Sequence, residues 1–182
     1  MRTDLKIPYG VSDFKTIRKE GLYYVDKSMF LAKLEERDRF VFFVRPRRFG
    51  KSLFLDMLRL YYDRNEKANF DALFGGLWIG AHPTPNRNRY LVLSLDFSQV
   101  GGCDLDAQQR SFDEYMRKRL DAFARRYPSV FAEDFVRSLA NDSAEGRFVA
   151  LMAQAKAAEA PVYLMIDEYD NFTNTILAES RE

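Results

Sequence analysis

The sequence predicts an α/β fold in which a mainly parallel sheet is flanked by helices. Short apolar runs have the length of buried strands, and amphipathic stretches of helical length separate them. The runs are residues 40–44, 90–97 and 162–166. Because strands that alternate with helices join through right-handed crossovers, a parallel sheet is the expected arrangement.

Composition excludes several classes of protein. A chain of 182 residues, 47% of them apolar, is long enough for a substantial core, and a net charge of +1 gives no overall attraction for nucleic acid or membrane. The single cysteine, Cys103, excludes an intrachain disulfide framework and is predicted to be an ordinary thiol, since the single histidine, His82, lies in a proline-rich loop. The sequence contains no zinc-binding cluster and no long apolar run, and its first six residues include charged side chains. We therefore expect a soluble, cytoplasmic protein.

Residues 1–38 are predicted to form a helical preface that packs on the core. Ser12 and Asp13 cap a short helix that ends by Gly21, and a second helix follows from Asp26 or Lys27. Three aromatic side chains of this preface are expected in the core, with stacking on an adenine ring as the alternative: Phe14, Tyr23 and Tyr24.

The segment that follows the first strand has the features of a phosphate-binding loop. Residues 45–52 read RPRRFGKS, and residues 53–62 then have the apolar stripes of a helix. A strand, a turn, Gly-Lys-Ser and a helix form the context of a P-loop. Gly50 lets the backbone approach phosphates, Lys51 brings a positive charge to them, and the Ser52 hydroxyl is a ligand for Mg²⁺.

One position departs from the full P-loop pattern. Arg45 occupies the place of its first glycine, and Arg47 and Arg48 stand where small residues are usual. The alternative interpretation is a basic turn between a strand and a helix at the protein surface.

A second motif favours nucleotide binding. The apolar run of residues 162–166 ends in Asp167 and Glu168. A carboxylate at the end of a buried strand holds Mg²⁺ in nucleotide hydrolases, and a following glutamate polarises the attacking water. Both motifs follow core strands, so we expect them at one edge of the sheet, although an acidic pair also occurs by chance at strand ends.

The remaining elements are predicted from local signals. Residues 63–89 are interpreted as a hairpin or lid inserted at the edge of the core, and Asp96 as a residue that supports the site without binding the metal. Helices are expected over residues 106–126, from Pro128 to about Leu139, and from a cap at Asp142 or Ser143. The first of these carries basic residues that are either solvated or in contact with nucleic acid: Arg117, Lys118, Arg119, Arg125 and Arg126.

The whole chain resembles the AAA-ATPase-like P-loop proteins of bacteria and archaea. In these proteins the ATPase-like domain is commonly followed by a PD-(D/E)XK nuclease-like domain. The segments that carry the resemblance are residues 7–14 (IPYGVSDF), 24–28 (YVDKS), 45–53 (RPRRFGKSL) and 166–172 (IDEYDNF). The arginine-rich loop is similar to that family's own version. The resemblance implies a P-loop NTPase-like fold whose domain, residues 39–182, lacks its C-terminal strands.

The resemblance also implies an ATP-binding domain and Mg²⁺-dependent ATP hydrolysis in intact relatives. Lys51 and Glu168 would be catalytic, and Ser52 and Asp167 would bind Mg²⁺. The residues expected around the nucleotide are Arg45, Arg47, Arg48, Phe49, Gly50, Lys51, Ser52 and Leu53. The three arginines would contact the γ-phosphate or a neighbouring subunit's nucleotide, or else pair with Asp170 or Asp26.

Two other functions stay open at this point. One is a nucleotide-gated regulatory module without turnover, whose partner would be a nuclease-like C-terminal domain. The other is a nucleic-acid-binding module that uses the arginine cluster. The sequence does not decide between ATP and GTP or define the oligomeric state, and it leaves open whether this chain hydrolyses nucleotide.

Overall fold

The computed structural model describes residues 6–37, 40–44, 49–102 and 104–169. These residues form eight α-helices and a small parallel sheet of two β-strands, which is compatible with the α/β class, while the P-loop NTPase-like fold stays a prediction. The chain divides into two compact units, Met1–Arg89 and Tyr90–Glu182. The boundaries inferred from the sequence, a preface over 1–38 and a P-loop domain over 39–182 with an insertion at 63–89, stay a prediction.

The first unit is helical throughout its described elements. Asp13 caps the first helix by accepting a hydrogen bond from the Thr16 amide, as the sequence predicts. The helices are α1 (Phe14–Lys19), α2 (Met29–Glu35), α3 (Lys51–Tyr62), a 3₁₀ helix (Arg64–Asn69), α4 (Phe70–Phe74) and α5 (Trp78–Ala81).

Aromatic side chains fill the core of the first unit. Phe74 of α4 lies against Phe14 of α1, with ring centroids 5.4 Å apart, and against Tyr61 of α3, also at 5.4 Å. All three side chains are fully buried. Residues 63–89, expected as a hairpin or lid, are therefore helical where they are regular, and they supply part of this core.

The apolar run of residues 40–44 is not a buried strand, contrary to the prediction. It has no regular secondary structure, and Phe40, Phe42 and Val44 are 86%, 80% and 87% exposed. A strand is buried on both faces only when neighbouring strands pair with its backbone, and the sheet formed by the described residues has two strands, Leu91–Asp96 and Val162–Asp167. Phe43 of this run nevertheless packs on α3, where its ring stacks on that of Phe54 with the ring centroids 4.9 Å apart.

The second unit is built on two parallel strands. These are β1 (Leu91–Asp96) and β2 (Val162–Asp167), paired in register from Leu91 opposite Val162 to Asp96 opposite Asp167. The chain between them forms α6 (Leu105–Arg126), α7 (Glu133–Ser138) and α8 (Ala144–Ala157). The predicted strands and the long helix are confirmed, while α7 begins at Glu133 and not at Pro128. Ser143 caps α8 by accepting a hydrogen bond from Gly146.

The outer edge of β1 is closed by side chains that lie on or just after α6. Val92 donates its amide to the Tyr127 hydroxyl at 2.8 Å, and Asp96 donates its amide to the Tyr115 hydroxyl at 2.6 Å. Between them, Arg119 donates to the Ser94 carbonyl at 2.8 Å. These contacts satisfy the backbone groups that an edge strand would otherwise leave open.

Candidate functional site

The helix that follows the predicted phosphate loop begins at a glycine with a left-handed backbone. Gly50 has φ 75° and ψ 29° and is the N-cap of α3. Among the described residues other than its two chain neighbours, no atom lies within 4 Å of the place where its Cβ would stand. The left-handed backbone conformation therefore favours glycine here.

The residues around Gly50 present polar groups at this helix start. Lys51 is the first residue of α3 and is partly buried, while the Ser52 hydroxyl is exposed. Phe49 is 65% exposed. Leu53 is the third residue of α3. The remaining predicted loop residues, Arg45, Arg47 and Arg48, lie outside the described residues, as does Asp170.

The second motif lies at the carboxyl end of β2. Asp167 is the last residue of the strand, and its Oδ1 accepts a hydrogen bond from the Glu168 amide at 3.0 Å. Glu168 has φ 53°, a left-handed backbone that costs a non-glycine residue about 1–3 kcal/mol. Such strain is found where the surrounding structure fixes a side chain in one position, as at many functional sites.

Asp96 lies directly opposite Asp167 in the parallel register. Its carboxylate accepts a hydrogen bond from the Ser98 amide at 3.0 Å, which caps the following 3₁₀ turn. Within the described residues, no group of three or more histidine, cysteine or acidic side chains is arranged to hold a metal. The supporting role expected for Asp96 stays a prediction.

A cavity of about 280 Å³ lies within the first unit and reaches the start of α3. Gly50, Leu53 and Phe54 form one wall. The sequence predicts no site residue within residues 7–8, yet Ile7 and Pro8 line the cavity. The signal that could have found them is their place in the first of the four motif segments, an apolar segment ahead of the phosphate loop.

The segment of residues 24–28 is held by hydrogen bonds to α5. Asp26 accepts hydrogen bonds from the Ser28 and Trp78 amides at 2.8 and 2.7 Å. Burial raises the pKa of Asp26, but hydrogen bonding with the Ser28 side chain and with the two amides outweighs it and holds the pKa below its ordinary value.

The basic residues of α6 are engaged in part by the protein itself. Lys118 pairs with Glu114 at 2.6 Å, and Arg119 binds the Ser94 carbonyl. The Arg126 guanidinium lies 6.0 Å from the centroid of the Tyr127 ring. These contacts favour a structural role for much of this face, in keeping with a solvated surface.

The described chain thus combines an α/β architecture, a glycine-started helix with Lys51 and Ser52 at its N terminus, and a strand that ends in Asp167 and Glu168. A family model described as "Predicted AAA-ATPase" matches residues 8–182. The chain belongs to this AAA-ATPase-like family.

A curated relative from Azotobacter chroococcum mcd 1, called "Uncharacterized protein in vnfD 5'region", is 34% identical over 167 residues. The match covers 91% of this chain and 29% of the relative, so the chain spans under a third of the length of that protein. No solved structure matches the chain. None of the helices in the described ranges combines the length and apolar character needed to cross a bilayer.

Proposed function

We propose that this chain binds Mg²⁺-ATP and that Lys51 holds its phosphates. The observation that carries the proposal is the left-handed Gly50 immediately before α3, with Lys51 and the exposed Ser52 in the first turn. The first amides of a helix have no partner within the helix, and the helix dipole adds a partial positive charge. An anionic group is therefore stabilised at this position, and Lys51 adds a full charge.

The side chains available suit a magnesium nucleotide. Mg²⁺ prefers oxygen ligands and keeps several waters, and we propose the Ser52 hydroxyl and the Asp167 carboxylate as its protein ligands. When bound, the ion offsets negative charge on the phosphates. Lys51 would keep its ammonium group on the same phosphates, where its charge favours the transferring phosphoryl group.

Glu168 is the residue we propose to orient the attacking water. Its left-handed backbone supports this role, since the fold maintains a strained conformation next to Asp167. The carboxylate of Glu168 would accept a hydrogen bond from the water and fix the direction of its attack. Catalysis of this type depends on positioning and charge, so small displacements of Glu168 would slow hydrolysis strongly.

Arg45, Arg47 and Arg48 complete the proposal as further contacts to the phosphates. Guanidinium groups bind phosphate oxygens in a two-pronged geometry that a lysine does not provide. Phe49 precedes the glycine and Leu53 lies in the first turn of α3, and both would shape the loop without a chemical part in the reaction.

The direct test is isothermal titration of the whole chain with Mg²⁺-ATP. Lys51→Ala should reduce affinity at least about tenfold, because a charge-assisted contact to phosphate is lost. Lys67→Ala is the matched control, since Lys67 is an exposed lysine of the same unit. Unchanged affinity in Lys51→Ala would show that the phosphate-site assignment is wrong.

Turnover needs a separate measurement, because this chain spans a fraction of its relative's length. Phosphate release from Mg²⁺-ATP supports hydrolysis by the chain itself. Tight binding without phosphate release would instead support the nucleotide-gated regulatory module. Binding of an oligonucleotide that weakens steeply with salt and ignores ATP would support the nucleic-acid-binding module.

A further inference from the structure

We infer that the cavity beside Gly50 is the site for the base of the bound nucleotide, with Tyr23 as the aromatic surface on which the base stacks. This inference rests on the proposed function, since it concerns the same nucleotide. Under this inference, residues that precede the phosphate loop form a second binding surface, and the group that they recognise is a purine ring.

Four segments of the described chain line the cavity: residues 7–8, residues 23–27, Ile17 of α1, and Gly50 with the first turn of α3. The first two segments are tied together because the Tyr23 amide donates a hydrogen bond to the Lys6 carbonyl at 2.9 Å. These two walls of the cavity are therefore joined by a backbone contact.

The start of α1 is fixed against α3, and both helices contribute residues to the cavity lining. The Phe14 amide donates to Asp56 Oδ2 at 2.8 Å, and the Phe14 ring meets Tyr24 edge-on at 5.3 Å. The Tyr24 hydroxyl reaches Met57 Sδ at 3.2 Å. Tyr24 is thus held in place as part of the wall. Tyr23 is 49% exposed, so its ring face remains available to a ligand.

The chemistry of the lining matches a base more closely than any other part of a nucleotide. Most of the described side chains in the lining are apolar or aromatic, and Lys27 is the one charged side chain among these described residues. A purine has two apolar faces and ring nitrogens that accept hydrogen bonds, so it can stack on Tyr23 and accept from the Lys27 ammonium. Triphosphate groups would find few partners in such a lining.

The size and position of the cavity also favour a purine base as its ligand. Its volume of about 280 Å³ is near the lower end of small-molecule sites, which span about 300–1,000 Å³. It accommodates a flat ring better than a whole nucleotide. Gly50 belongs both to the cavity lining and to the N-cap of α3, so a ligand with its base in the cavity has its phosphates within reach of Lys51.

The test compares a nucleotide with a ligand that has phosphates and no base. Isothermal titration would measure the affinities for Mg²⁺-ATP and for Mg²⁺-tripolyphosphate. Tyr23→Ala should weaken ATP about tenfold and leave tripolyphosphate unchanged, because loss of stacking affects the base alone. Tyr23→Phe keeps the ring and should retain the affinity for ATP. Tyr9→Ala is the matched control, since Tyr9 is 98% exposed and does not line the cavity.

The outcomes separate this inference from the proposed function. If wild-type protein bound tripolyphosphate as tightly as ATP, or if Tyr23→Ala left ATP affinity unchanged, the cavity would not hold the base, although the phosphate site would stand. Lys51→Ala should weaken both ligands. Wild-type protein that bound neither ligand would overturn the proposed function and this inference together.

Discussion

The carboxylate of Asp26 accepts a hydrogen bond from the Trp78 amide at 2.7 Å, although the two residues are 52 positions apart. Beside this contact, the Ile79 amide donates to the buried Ser28 hydroxyl at 3.1 Å. The start of α2 is thereby fastened to the start of α5. The segment of residues 24–28 thus has a structural role in addition to its place along the cavity.

Removal of this fastening should destabilise the first unit. In Asp26→Ala, the amides of Ser28 and Trp78 lose their acceptor, and the free energy of unfolding should fall by about 1–3 kcal/mol. Urea unfolding followed by circular dichroism measures the change. Asp71→Ala replaces an exposed aspartate of the same unit and should alter stability by less than about 0.5 kcal/mol. Equal effects of the two substitutions would contradict the structural role of Asp26.

The pH dependence of stability should also reveal the contribution of the Asp26 carboxylate. The pKa of Asp26 is lowered in the folded state, and a hydrogen bond from the Thr16 amide lowers that of Asp13. A lowered folded pKa means that the stabilisation is complete above the ordinary value of 3.8 and is lost as the pH falls through the folded pKa. Wild-type stability should therefore decline below about pH 4, and Asp26→Ala should show a shallower decline. Thermal unfolding at a series of pH values tests this, and parallel curves would count against it.

Local signals in the sequence predicted much of this fold. The cap at Asp13, the strand that ends in Asp167 and the long helix α6 depend on neighbours in the chain, so spacing and capping residues reveal them. Residues 40–44 show the limit of this approach. Their composition favours a strand, but burial of a strand depends on pairing partners that composition does not specify.

The candidate site also has parts that local sequence signals predict and parts that depend on distant segments. The helix start at Gly50, Lys51 and Ser52 was predictable because the proposed phosphate site is a local motif, and the role of these residues in binding phosphate stays a prediction. The cavity was not found as a unit, since its walls come from separate segments of the first unit. The left-handed backbone of Glu168 was also beyond prediction, because glutamate carries no preference for that conformation.

The closure of the β1 edge leads to a prediction about Tyr127. The hydroxyl of this buried residue accepts the Val92 amide, and Tyr127→Phe leaves that buried amide without its acceptor. The free energy of unfolding should fall by about 1–3 kcal/mol, and hydrogen exchange at the Val92 amide should accelerate. Tyr115→Phe offers a comparison at the less buried Asp96 amide, where we expect a smaller loss. Unaltered exchange at Val92 in Tyr127→Phe would argue that the edge is not sealed by this contact.

Arg147 should be a further determinant of stability in the second unit. It is 5% exposed, pairs with Asp121, and donates to the Leu139 and Ala140 carbonyls at 2.7 and 3.0 Å. Arg147→Met keeps most of the side-chain volume but removes these bonds, and we expect a loss of roughly 2–4 kcal/mol in chemical unfolding.

The matched control for Arg147 is Arg137→Met. Arg137 also pairs with a carboxylate, that of Glu133, but the two side chains are 72% and 77% exposed. Such a surface pair is worth about 0–1 kcal/mol, so the substitution should change stability little. A similar loss in both variants would mean that burial of Arg147 does not add to the value of its contacts.

Glu168 and Glu159 allow backbone strain to be separated from chemistry. Both have a left-handed backbone, with φ 53° and 49°, but Glu159 follows α8 and is not part of the candidate site. Glycine relieves the strain at either position while it gains entropy in the unfolded chain, so Glu168→Gly and Glu159→Gly should each alter stability by about 1 kcal/mol or less.

The two variants should differ in ATP hydrolysis. Glu168→Gly removes the carboxylate proposed to orient the water, and phosphate release should fall about a hundredfold or more while Mg²⁺-ATP affinity is retained. Glu159→Gly should hydrolyse ATP at the wild-type rate. A steady-state phosphate-release assay and isothermal titration on the same samples measure both quantities. Because the two substitutions relieve the same kind of strain, equal turnover in both variants would show that the Glu168 carboxylate takes no part in the reaction.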